Sequence, residues 1–231
     1  GLHAFQSRRK RLSARQGDFR RDGAIQCRTR RIENDCRALK RAGKGEIKMS
    51  EKIVIASDIH GSAHWCEKLL GAIERENPAK IFLLGDILYH GPRNELPEGY
   101  APKEVFAMLN PLKKKLLCVR GNCDSEVDQM VLEFPVMADY ALLFSAGRTI
   151  FATHGHLFGE QNPPPLSAGD ILFNGHTHIP CHREIEGGIL YANCGSVSLP
   201  KENTPHSYVV LEGGEIVWKE LGGRIFDRCK L

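Results

Sequence analysis

Nowhere in the 231 residues is there an apolar run near the ~20 needed for a helix to cross a bilayer, which argues against a helical membrane protein. The eight cysteines include no C-x-x-C pair, so neither a zinc ribbon nor a thioredoxin-type motif is indicated. The first residues lack the apolar stretch of a secretory signal, and scattered thiols suit a reducing cytoplasm. What is present in ordinary measure is core-forming material: 42% of residues are hydrophobic, enough for one sizeable domain.

The formal net charge of +4 is unevenly spread. Residues 1–48 carry 15 Lys/Arg and 5 Asp/Glu, whereas 49–231 carry 17 and 23. The basic character belongs to a tail running from Arg8-Arg9-Lys10-Arg11 to Arg41, and the body is acidic. One reading of 1–48 is a disordered basic arm that touches nucleic acid or anionic surfaces. The favoured expectation is a mis-called start: foldable sequence begins abruptly at Met49, and Lys44-Gly45-Glu46 can be encoded by a ribosome-binding-site-like string just upstream.

From residue 52 onward, apolar runs alternate with helical periodicity. Lys52–Ser57, Lys80–Leu84 and Leu116–Val119 predict buried strands, Ser62–Glu76 a helix starting just after His60, and Val105–Leu109 part of another. Residues 87–101, rich in Gly, Pro and Asn, predict a loop. The second half is strand-rich: a hairpin over Tyr140–Phe144 and Arg148–Thr153, then Ile171–Asn174, His182–Ile185, Ile189–Ala192, Tyr208–Leu211 and Glu215–Lys219. Gly187-Gly188 and Gly213-Gly214 suit hairpin turns. Two packed sheets with outer helices would bury both patterns.

The predicted strands end in residues able to bind metal: Asp58-Ile59-His60, Gly85-Asp86, Gly121-Asn122, His154-Gly155 and Gly175-His176-Thr177-His178. Sites in open α/β sheets gather beyond the carboxyl ends of strands, so these five ends can converge. Asp58, His60, Asp86, Asn122, His154, His176 and His178 are too many for one tetrahedral zinc, but they suit two ions sharing a carboxylate. Such a pair can clamp a phosphate and activate a bridging water. Each element alone is weak, because a single H-x-H is more often surface or packing than ligand. All five in this order make a metal site the expectation.

This pattern resembles the calcineurin-like metallophosphoesterase superfamily, D-x-H…G-D…G-N-x-[DE]…H…G-H-x-H, over essentially all of 52–220. Within it, Gly85–Asn94, Val119–Asp124, Thr153–Gly159 and Gly175–His178 look like those of the bacterial YfcE-type phosphodiesterases. The resemblance implies an α+β fold of four layers (α/β/β/α), two mixed sheets flanked by helices with a dinuclear site at strand C-terminal ends, and a metallophosphoesterase domain over 49–231. It implies two divalent cations, Mn²⁺ first with Fe, Zn or Ni as alternatives. Asp58, His60 and His178 would hold one ion, Asn122, His154 and His176 the other, and Asp86 would bridge. Asn122, His154 and Asp86 are the expected catalytic residues, and Asn122, Arg93 and His90 the expected substrate contacts. The implied reaction is hydrolysis of a small phosphodiester by a metal-bridging hydroxide, and a homo-oligomer, dimer or tetramer, is compatible with it.

One departure concerns the proton donor to the leaving group. Most of the superfamily has His after the Asn; here it is Cys123, as in the YfcE-like group. A thiol is a poor donor to an alkoxide, so good leaving groups are favoured, or the acid is His90, His156 or a metal-bound water. Cys123 as simple packing is an equal reading. A second departure, Asn193-Cys194-Gly195-Ser196 where relatives usually have Pro after the Asn, suggests a local turn effect. His64 reads as surface, and Arg120 as holding Asp124 or a loop as readily as meeting substrate. The rivals are a non-catalytic protein-binding scaffold on the same fold, as in the retromer subunit, a polymer-cutting nuclease, and a phosphomonoesterase. Seven intact ligands speak against the scaffold, and the acidic body against nucleic acid.

Overall fold

The computed structural model describes residues 52–231; the readings of 1–48, Cys27 and Cys36 lie outside the described residues. Three parallel strands, β1 (Ile53–Ala56), β2 (Lys80–Leu83) and β3 (Leu116–Cys118), are linked by helical crossovers. The first crossover is α1 (Ala63–Glu76); the second carries α2 (Pro102–Leu109) and a 3₁₀ turn at Asn110–Leu112. The Ser62 hydroxyl caps α1 by accepting from the Trp65 N–H at 3.2 Å, and Asn77 ends it in a left-handed conformation just before Pro78. Pro102 opens α2, where its missing N–H costs nothing. A short helix α3 (Glu126–Gln129), capped reciprocally by Ser125 and Asp128, completes the helical set among the described residues.

The chain then forms β4 (Ala141–Ser145), β5 (Arg148–Ala152), β6 (Ile171–Asn174), β7 (Cys181–Ile185), β8 (Ile189–Asn193), β9 (Ser207–Glu212), β10 (Glu215–Glu220) and β11 (Ile225–Lys230). These make two mixed sheets, ordered β11-β10-β9-β1-β2-β3 and β4-β5-β6-β8-β7. The expected α+β class with two mixed sheets holds, with helices on the first sheet only among the described residues. β11 is the strand that periodicity did not reveal: it is an edge strand of mixed polarity that pairs antiparallel with β10, with Phe226 and Cys229 against the core.

Alternation along β1 shows how the layers share one strand. Val54 and Ala56 face α1 and α2 in a core with Leu69, Val105 and Leu109, while Ile55 faces the second sheet with Phe82, Phe173 and Trp218. The far face of the second sheet, with Phe151, Leu172, Ile189 and Tyr191, is packed by Phe158 and Leu166 from the irregular 153–170 segment, so a loop supplies the outer layer there. No helix among the described residues is long and apolar enough to cross a membrane.

Candidate metal centre

All seven sequence-predicted ligands come together. Asp58 and His60 follow β1, Asp86 follows β2, Asn122 follows β3, His154 follows β5, and His176 and His178 follow β6. The first sheet thus contributes Asp58, His60, Asp86 and Asn122, and the second the other histidines. Asp58 Oδ1 lies 3.2 Å from His178 Nε2 and 3.5 Å from His60 Nε2, which are themselves 3.2 Å apart. On the other side, His154 Nε2 is 3.1 Å from Asn122 Oδ1 and 3.1 Å from His176 Nδ1. Asp86 Oδ2 faces both groups, 3.7 Å from His60 Nε2 and 3.4 Å from His154 Nε2.

The ring orientations are dictated by the backbone. A carbonyl can only accept, so the ring nitrogens facing Tyr89, Leu84 and Leu199 carry protons: Nδ1 of His60 at 2.9 Å, of His154 at 2.7 Å and of His178 at 2.6 Å. Each Nε2 lone pair is thereby aimed into the site, the arrangement that fixes ligating imidazoles. The carboxylates are divided in the same way. Asp58 Oδ2 accepts from the His176 N–H at 3.0 Å and Asp86 Oδ1 from the Cys123 N–H at 2.8 Å, which leaves one oxygen of each for the centre.

Two neutral imidazole lone pairs 3.2 Å apart, beside an Asp58 Oδ1 that is buried without a hydrogen-bond partner, repel unless a cation lies among them. The donor set therefore fits divalent metal. The field says the same. Burial alone lowers the His154 pKa, yet Asp58 and Asp86 raise it to about 9. Burial raises that of Asp58, but His154, His178 and His60 carry it well below the ordinary carboxylate range. His176 is held at about 4 by burial and by the His154 charge.

Close approach at two glycines makes this convergence feasible. A Cβ on Gly121 would sit 2.0 Å from Asp86 Oδ1, and one on Gly175 would sit 2.1 Å from Ser57 Oγ and 2.8 Å from Asp58 Oδ2. The buried carboxylate of Asp124, the last residue of the G-N-x-[DE] string, ties the β2 and β3 loops together. It accepts from the N–H groups of Asp86 (2.8 Å), Ile87 (2.9 Å) and Gly121 (2.7 Å). The motif contained this residue without revealing its part in the site. The Asn193–Ser198 segment also does more than turn: Ser196 Oγ and Ser198 Oγ donate to the Asp58 carbonyl at 3.0 and 2.9 Å, and Asn193 Nδ2 donates to that of Gly175 at 2.6 Å.

Above the ligands opens a cavity of about 410 Å³, walled by Arg93, Asn94, Cys123, Thr177 and Lys201. Arg93, expected as a substrate contact, lines this cavity. His90 does not line this cavity; its ring lies edge-on to those of Tyr89 and Tyr100. Burial, then the charge of Asp86, push the Cys123 thiol up, so it stays protonated, with Asn122 Nδ2 3.1 Å from its sulfur. His156, the other candidate acid, faces a neighbouring cavity of about 330 Å³. Arg120 pairs with Asp139 at 2.7 Å rather than with Asp124, and His64 sits at the surface 3.9 Å from Glu98. Lys201 went unnoticed in the sequence, because nothing about an isolated lysine after Pro200 marks it.

A model of the calcineurin-like phosphoesterase superfamily domain matches residues 52–215. Phosphodiesterase YfcE of Escherichia coli is 48% identical over 161 residues, which span 70% of this chain and 87% of that protein. The solved structure of E. coli YfcE, described as a phosphoesterase, superposes with a TM-score of 0.74 at 44% identity, covering 78% of this chain and 98% of that one. The probable metallophosphoesterase YsnB of Bacillus subtilis is 30% identical over 167 residues, 69% of this chain and 82% of its own. With its ligand geometry, its two mixed sheets and these likenesses, the chain belongs to the calcineurin-like phosphoesterase superfamily.

Proposed function

We propose that this chain is a metal-dependent phosphodiesterase acting on a small phosphodiester, with its domain beginning at residue 49. In this reading Asp58, His60 and His178 hold one divalent cation, Asn122, His154 and His176 hold a second, and Asp86 is shared. The observation that carries it is that Asp86 Oδ2 lies 3.7 Å from His60 Nε2 and 3.4 Å from His154 Nε2, since a carboxylate facing both groups can serve two ions. Mn²⁺ is the cation proposed, with Fe, Zn and Ni accepted by the same mixed donors. A bound pair supplies Lewis-acid polarisation of the phosphate and a water of lowered pKa.

The remaining work falls to the chain's own groups. Asn122 would present a neutral amide oxygen to a bound ion, and of its two Nδ2 hydrogens, one faces the Cys123 sulfur at 3.1 Å and the other is suited to a phosphate oxygen as charge grows there. The Arg93 guanidinium can take two oxygens of the same phosphate. Cys123 is held as a thiol and gives up its proton reluctantly, so substrates with good leaving groups are favoured. The free thiols of Cys66, Cys118, Cys123, Cys181, Cys194 and Cys229 support a reducing compartment, the cytoplasm.

The test compares hydrolysis of a bis-aryl phosphate with that of an aryl monophosphate, with and without Mn²⁺, in wild type and His176→Ala. Mn²⁺-stimulated cleavage of the diester, lost by at least a hundredfold in the variant, is expected. Preference for the monoester would make the enzyme a phosphomonoesterase, and no stimulated activity would leave the scaffold reading standing.

A further inference from the structure

With two cations bound as proposed above, the cavity would carry more positive charge than a simple diester can use. Two divalent cations, as proposed above, exceed by two charges the two carboxylates that face them, Asp58 and Asp86. A diester brings one negative charge, and an activated hydroxide brings one more. Arg93 and Lys201 then add two cationic side chains to the walls. Both are exposed on the cavity lining, and neither has an ion-pair partner among the described residues. Charge of one sign, unpaired and confined to a cleft, focuses the field on an anionic ligand.

The two side chains stand in different places and differ in chemistry. Arg93 belongs to the loop that packs on Cys123, where a Cβ on Gly91 would come within 2.9 Å of the sulfur. Its planar fork matches the two free oxygens of the reacting phosphate. Lys201 comes from the loop between β8 and β9, and its backbone is anchored at a candidate ligand: its N–H donates to the His178 carbonyl at 3.3 Å. The next turn is tightened by left-handed Glu202 and Asn203, and the Thr204 N–H and hydroxyl close it on the Lys201 carbonyl at 3.0 and 2.6 Å. The position of its Cα is thus specified, while its ammonium is a compact charge on a flexible stem within the cavity lining.

We infer that Lys201 forms an anion subsite, and that the preferred substrates are phosphodiesters in which one arm carries a further anionic group such as a phosphate. This inference rests on the phosphodiesterase reading. Lys201 is a specificity residue in it: it touches the arm that does not react.

Two chromogenic diesters with the same leaving group separate the effects: thymidine 5′-(4-nitrophenyl phosphate), and the same compound bearing a 3′-phosphate. With the Mn²⁺-loaded full chain, kcat/KM is expected to favour the 3′-phosphorylated diester, mainly through KM. Lys201→Ala should lower that preference about tenfold, and Lys201→Arg should retain most of it. A second readout is calorimetric binding of thymidine 3′,5′-bisphosphate against thymidine 5′-monophosphate, whose affinity ratio should fall by a similar factor in Lys201→Ala. Equal treatment of the two diesters by wild type, or a loss in Lys201→Ala that is the same for both, overturns the inference. If wild type cleaves neither diester, the phosphodiesterase reading fails instead, and the calorimetric ratio still decides whether the subsite exists.

Discussion

Five candidate ligands hold a backbone conformation that L-residues avoid: Asp58, His60, Asp86, His176 and His178 have φ between 50° and 65°. Such residues cost roughly 1–2 kcal/mol each, and they persist where the surroundings over-determine them. Their grouping at one site is what a preorganised metal centre requires. At His178 the strain is separable from the ligand. In urea denaturation with chelator present, His178→Gly should be more stable than His178→Ala by about 1 kcal/mol, because only glycine occupies this region freely. Equal stabilities would mean that the left-handed turn stores nothing. Sequence motifs picked out all seven candidate ligands at this scale, since metal chemistry restricts residue types. They were silent on φ and on which ring nitrogen faces inward; the latter depends on carbonyls from segments distant in sequence, Leu84 for His154 and Leu199 for His178.

At the scale of elements, α1 is tied to the first sheet by a charge cluster at its last turn. Glu76 accepts from Lys219 Nζ (2.6 Å) and the Tyr208 hydroxyl (2.9 Å) through Oε1, and from Lys52 Nζ (3.3 Å) through Oε2. Burial alone raises the Glu76 pKa, but Lys219, Tyr208 and Lys52 hold it below its ordinary value. A carboxyl with a depressed folded pKa stabilises the protein above its unfolded pKa of ~4.3, and that stability disappears as pH falls through the folded value. Glu76→Gln should therefore lose about 1.5–3 kcal/mol at pH 7, and its stability should fall less steeply than that of wild type below pH ~4.3. Urea midpoints from pH 7 to pH 3 check this, and parallel curves for the two proteins would refute it. Helical spacing placed α1 between Ser62 and Glu76 correctly, yet no local pattern linked Glu76 to strands more than 130 residues away.

At the scale of the whole described domain, two sheets have strand ends that meet at one centre, so ions there would clamp the sheets to each other. Ligands bound only by the folded state stabilise by about 2.7 kcal/mol at a hundredfold excess over Kd. At ~2–4 °C per kcal/mol for a domain of this size, Mn²⁺ should raise the melting temperature by roughly 5–10 °C per site, and excess chelator should remove the gain. Calorimetric scans of the metal-free and Mn²⁺-loaded protein measure it; coincident scans would show that no such clamp exists.

Taken alone, the sequence determined the candidate ligand set, the alternation of strands and helices through residue 119, the strand-rich second half and the superfamily resemblance, because each is written in residue types at short spacing. Tertiary structure decided what depends on distant partners. It paired β11 with β10 as an edge, placed the 153–170 loop over the second sheet, turned Asp124 into the brace between two candidate-ligand loops, and brought Lys201 and Arg93 to the lining of one cavity. Edge pairing, loop coverage and the facing of isolated charges leave no periodic mark on the chain. They follow from packing between segments far apart in sequence.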